Sequence, residues 1–188
     1  MPDGVAFPDA GAFEAWLEEH HEGAGEVWLM FAKKGSGATS VGYDEALDAA
    51  LCFGWIDGQL RGLDERFYLQ RFTPRRKRSV WSKRNTEKAE ALIAAGRMRP
   101  AGLRQVELAK ADGRWQAAYD GPRTATVPED LQRELDANPA AAEFFATVTG
   151  QNRYAILHRI QTATRPETRA KRIREFVAML AERRTLYP

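Results

Sequence analysis

Phe13, Trp16 and Leu17 recur at helical spacing behind Asp9, whose carboxylate is placed to cap a first helix. The string EVWLMFAKK keeps its charges at its ends and reads as a buried strand, followed by the flexible loop GSGATSVG. Ala46, Leu47, Ala50 and Leu51 then form one apolar face of a second helix, closed by Gly54. Period-two alternation takes over in WIDGQLR and RFYLQRF: Ile56 and Leu60 alternate against Trp55, Asp57, Gln59 and Arg61, and Phe67 and Leu69 against Arg66, Tyr68, Gln70 and Phe72. A turn at GLDE makes these a hairpin, with Arg61 opposite Arg66, Gln59 opposite Tyr68, Asp57 opposite Gln70 and Trp55 opposite Phe72. On that register the polar and aromatic set shares one side, and the greasy side faces helices. A tight turn at Asp57-Gly58 is the alternative, but it leaves strands of very unequal length.

Beyond Pro74 the pattern turns helical. Ser82 or Asn85 can cap a helix carrying Ala89, Leu92 and Ile93 and ending at Gly96, and Pro100 opens another with Leu103, Val106 and Ala109 inward. YDGPRTA reads as a linker. Thr126 with Glu129 and Thr164 with Glu167 have capping-box spacing, and Asn138-Pro139 supplies a cap and a first-turn proline. In the final helix Ile173, Phe176, Val177 and Leu180 form the inward stripe, which leaves Arg169 and Arg172 largely outward. The expected fold class is α+β, a small antiparallel sheet packed with helices and followed by an all-helical module. The corresponding domains are 1–119 and 126–188, with 120–125 as linker. The chain's 188 residues and 44% apolar content suffice for one sizeable core plus a small helical companion.

Charge changes the picture. The net +2 conceals alternating blocks: −8 over residues 1–50, +7 over 51–100, −3 over 101–150 and +6 over 151–188. Acidic and basic blocks of one chain can simply pair with each other, whereas a dedicated nucleic-acid binder is more often basic throughout. Cys52 is the only cysteine, so no internal disulfide forms, and with three scattered histidines a zinc site is not expected. Neither a metal nor a cofactor is called for. No run of about 18 apolar residues exists to span a membrane. The N-terminal string lacks the basic start and apolar run of a signal peptide, giving the expectation of a cytoplasmic protein.

Candidate chemistry concentrates in residues 53–85, where six aromatics lie among nine Arg or Lys and three carboxylates. Asp57, Gln59, Tyr68 and Gln70, walled by Trp55 and Phe72, have the makings of a small-molecule pocket, against the plainer reading of a solvated sheet face. Arg71, Arg75, Arg76, Ser79 and Trp81, around TPRRKRS and just before a helix start, suit an anion, or else the arginines brace the fold against the acidic first block. Interleaved basic and aromatic residues over 61–84 also fit nucleic acid, the second reading. An uncharacterised enzyme is the third: Asp57 beside Tyr68 is an acid/base pair in principle, but no catalytic motif is present. Cys52 reads as an inert core thiol, and His158 as packing or surface.

The strings ALCFGWIDGQ, QRFTPRRKRSVWSKRN and LIAAGRMRPAG, in this order, resemble the bacterial YdeI/OmpD-associated bacteriocin-protection family. VPEDLQRELDANPAAAEFF with NRYAILHRIQTATRPETRAKRI is similar to its short helical OmdA-type module. The resemblance implies a role in protection against bacteriocins or envelope stress and supplies no catalytic residue set. It singles out Gly54, Trp55, Asp57 and Gly58, then Arg71 to Arg76, Ser79, Trp81, Ser82 and Asn85. The expected function is therefore a stress-protection protein that binds a small anionic ligand or a partner through an aromatic and arginine-lined site.

Overall fold

Eleven elements follow one another along the chain: α1 (Ala10–His20), β1 (Val27–Ala32), α2 (Tyr43–Cys52), β2 (Trp55–Gly62), β3 (Phe67–Pro74), α3 (Lys83–Ala94), α4 (Pro100–Ala111), α5 (Glu129–Asp136), α6 (Pro139–Thr147), α7 (Gly150–Gln161) and α8 (Pro166–Ala181). They come from a computed structural model that describes residues 3–188. The α+β class is as expected, with the three strands in the order β1-β3-β2 and both pairings antiparallel. The chain divides into two units, one made of the chain up to Ser79 with Asn85–Ala117, the other of Val80–Arg84 with Ala118–Pro188.

In the first unit the Asp9 carboxylate caps α1, accepting from the Ala12 N–H at 2.9 Å, as its sequence position predicts. The long hairpin forms, but its register differs from the expected one. Trp55 pairs with Pro74, Asp57 with Phe72, Leu60 with Gln70 and Gly62 with Tyr68, with an irregularity between Asp57 and Leu60. The physical reason is a bulge at Gly58-Gln59, which inserts extra backbone into β2 and leaves a carbonyl to satisfy. The buried Gln70 amide supplies the partner, Nε2 donating to Gly58 O at 2.8 Å.

The sheet is also oriented opposite to expectation. Val27, Leu29, Phe31, Gln70 and Phe72 share a face, and that face meets the helices: the Phe72 ring lies 5.7 Å from Phe13 of α1, and Phe31 6.1 Å from Tyr43 of α2. The side expected to be greasy carries Trp28, Arg61, Leu69 and Arg71, and Leu60, opposite Gln70, is exposed. Leu69 is covered there by the N-terminal segment, where a Cβ on Gly4 would lie 2.5 Å from Leu69 Cδ2. Helix α4 seats on the end of α2 through Gly102, at which a Cβ would lie 2.3 Å from Cys52 O. Ile93 is partly exposed rather than inward.

The second unit packs α5 to α8 around Leu131, Leu135, Phe145, Ile156, Ile160, Ile173, Phe176, Val177 and Leu180. The inward stripe of α8 is the predicted one. Asn138 caps α6, its Oδ1 accepting from Ala141 N at 3.1 Å, with Pro139 opening the first turn. Neither expected capping box forms. Pro128 itself takes the cap position of α5, and Pro166 starts α8 one residue later than Thr164 would require, because the residue before a proline is held extended. Among the described residues no helix is long and apolar enough to cross a membrane.

Candidate functional site

Of the residues singled out on the hairpin, three lie within the packed interior and form no open pocket wall. Trp55 is 1% exposed, Phe72 0% and Gln70 4%. Trp55 Nε1 donates to His21 O at 3.2 Å and its ring stands perpendicular to Trp16. Asp57 accepts from Tyr43 Oη at 2.8 Å. Tyr68 stacks on Phe31 at 5.4 Å, and partial burial raises the pKa of its hydroxyl. Gln59 sits exposed in the bulge beside Arg61.

One cation of the basic stretch, Arg71, and three that follow it pair with the acidic first block. Arg71 pairs with Glu26, Lys88 with Asp48 (2.7 Å) and Asp44 (3.5 Å), Arg97 with Glu14 (2.6 Å) and Arg99 with Glu18 (3.7 Å). Arg75 is 5% exposed, and its N–H donates to Gly54 O. Arg76 is exposed; its N–H donates to Ser79 Oγ at 2.9 Å, while the Ser79 carbonyl accepts from Arg114. Trp81 belongs to the second unit, where it is buried.

The second unit holds a cleft of about 520 Å³ along α7 that the sequence reading missed. It follows the length of that helix, from Gln151 to Thr162, and includes its last turn. An α-helix ends with carbonyls that have no partner within it, and the dipole makes that end negative. Two arginines of α8 reach across to this end: Arg169 Nη1 donates to Ile160 O at 2.9 Å, and Arg172 Nη1 to Arg159 O. Both are therefore turned onto α7 and half-buried, not outward as expected. Arg172 lines the cleft.

Helical spacing supplies the rest of the lining in two rows, Gln151, Ala155 and Arg159, and Tyr154, His158 and Thr162. Tyr187 covers one side. Its backbone is clasped by Asn152, whose Nδ2 donates to Tyr187 O at 3.0 Å and whose Oδ1 accepts from Tyr187 N at 2.9 Å. Tyr154 Oη donates to Asp120 O at 3.2 Å, and the His158 ring meets Tyr119 edge-on at 4.6 Å.

Electrostatically the cleft is one-signed: its lining includes two arginines and no carboxylate. His158 feels this, its pKa lowered by burial first and then by Arg159 and Arg172, so its ring is neutral at neutral pH. Arg159 donates from Nη2 to Tyr187 Oη at 3.2 Å, but its Nη1 is buried with no hydrogen-bond partner. A cationic N–H left without a partner is costly. The other charged groove, between α5 and α8, is different: there Asp130 takes both Nε (2.5 Å) and Nη2 (2.8 Å) of Arg169, which neutralises it. Among the described residues no group of three or more His, Cys, Asp or Glu is placed to hold a metal ion. The two-row polar face of α7 was legible as a spacing, but nothing in the sequence said that α8 would bring a second arginine to it.

Residues 5–105 match the family model described as a domain of unknown function (DUF8412). Residues 124–183 match OmdA, described as bacteriocin-protection, YdeI or OmpD-associated, so the helical unit is similar to the module its strings resemble. No match was found among curated proteins or among solved structures.

Proposed function

Because the chain belongs to the DUF8412 domain family and carries an OmdA domain in its C-terminal third, we propose that its bacteriocin-protection-type role works through a small anion held in the α7 cleft of that domain. Arg159 and Arg172 supply the positive charge, and Gln151, Tyr154 and Thr162 supply side-chain hydrogen-bonding groups. The ligand is a carboxylate or phosphate, whose oxygens match the guanidinium fork. The supporting observation is a lining that brings Arg159 and Arg172 together with no carboxylate among its residues. The role is binding.

Calorimetric titration with inorganic phosphate and with acetate tests this. Saturable binding is expected, weakened about tenfold or more by Arg159→Ala, since a hydrogen bond to a charged group is worth about 1.5 to 3 kcal/mol. Arg104→Ala, an exposed change on α4, leaves it unaltered. Each variant's melting temperature is checked first, because Arg159 also bonds Tyr187. Equal affinities in the unchanged chain and in a folded Arg159→Ala variant would refute the site.

A further inference from the structure

A second cleft of about 490 Å³ runs along the same helix. Its lining includes Pro122, Ala125, Gly150 and Leu157, and it shares Gln151 and Tyr154 with the first cleft. The charged member of this lining, Arg153, is already engaged: its guanidinium lies 4.3 Å over the Phe145 ring and its Nη1 donates to Phe145 O at 3.4 Å. The second cleft therefore presents apolar surface where the first presents cations. Tyr154 joins them, a side chain with an apolar ring and a polar tip that is fixed by Asp120 O.

We infer that the helical unit binds a small amphipathic anion, with its charged head at Arg159 and Arg172 and its apolar body lying past Tyr154 against Pro122, Ala125 and Leu157. This rests on the anion reading above and narrows it. Two arguments favour one ligand across both clefts over a bare anion in the first. Gln151 and Tyr154 line both clefts, so the two lie on adjoining faces of α7 with Tyr154 between them. A bare anion in a half-open cleft exchanges good hydration for a few hydrogen bonds, whereas each methylene buried in the second cleft adds a factor of about four in affinity.

Three probes that vary chain length and head charge separately decide the matter on the full chain: acetate, octanoate and octanol. Octanoate is expected to bind at least tenfold more tightly than acetate and than octanol. In a two-dimensional amide spectrum, octanoate shifts the signals of Ala125, Gly150 and Leu157 together with that of Arg159, while acetate shifts the Arg159 region alone. Ala125→Leu, which narrows the second cleft, is expected to remove the octanoate advantage and leave acetate affinity within twofold. If that variant fails to fold, the spectra of the unchanged chain decide. Equal affinity for acetate and octanoate, with no shift at Ala125 or Leu157, overturns the inference and leaves the anion site standing. Octanol binding as tightly as octanoate, with no acetate binding, overturns the anion reading and this inference together.

Discussion

Cys52 and Gly102 show at the scale of single residues what the packing demands. Cys52 is 2% exposed, and burial pushes its thiol up to about 11, partly countered by Arg97. The thiolate is the reactive form, so at pH 8 this cysteine is expected to resist a maleimide reagent until denaturant opens the fold, as mass spectrometry over time would show. Rapid labelling of the native chain would contradict that. At Gly102, a Cβ would fall 2.7 Å from Leu51 O as well as close to Cys52 O, all backbone atoms that cannot step aside. Gly102→Ala should cost about 1 to 3 kcal/mol by overpacking, read as a lowered urea midpoint, even though alanine is the better helix former. Caps such as Asp9 and Asn138 were legible in the sequence because a cap acts on its own next turn. Gly102 was visible only as an oddity inside a helix, since its partner lies fifty residues earlier.

Periodicity read the hairpin strands and the stripes of α1, α2 and α8, and failed where two elements had to be placed against each other. The strands of the hairpin were readable; the bulge at Gly58-Gln59, and with it the register, depended on a carbonyl that Gln70 satisfies from the neighbouring strand. Likewise the stripe of α8 was readable, but the direction of Arg169 and Arg172 was set by the carbonyl end of α7. The link from α8 to α5 gives a pH test. The hydrogen bond from Arg169 holds the Asp130 carboxyl below its usual value of 3.8, so the folded chain binds that proton less tightly than the unfolded one. The stabilisation is therefore present above pH 3.8 and is lost as pH falls through the lower folded value. Melting temperatures from pH 7 down to pH 2.5 should fall more steeply at the acid end in the unchanged chain than in Asp130→Asn. Parallel curves would show that the pair contributes nothing.

Over the whole molecule, the alternating charge blocks acquire a structural meaning. The −8 block of the first 50 residues supplies Glu14, Glu18, Glu26, Asp44 and Asp48 to Arg71, Lys88, Arg97 and Arg99 of the +7 block that follows. Cations committed in this way are poor at neutralising phosphates. Duplex DNA is expected to bind no more tightly than non-specific contacts allow, weaker than about 1 μM at physiological salt. Tight, steeply salt-dependent binding would restore the nucleic-acid reading. The block pattern was plain in the sequence, but its use was not, because pairing depends on which helices meet. Val80–Arg84 belongs to the second unit although the chain on either side of it belongs to the first, and within that unit Tyr119 bonds both Trp81 O and Lys83 N. The helical module is thus not a detachable cassette. A gene fragment cut at the edge of the OmdA match leaves behind the module's one tryptophan and the short rung that Tyr119 holds, so shuffling this module onto another protein requires carrying five residues from far upstream.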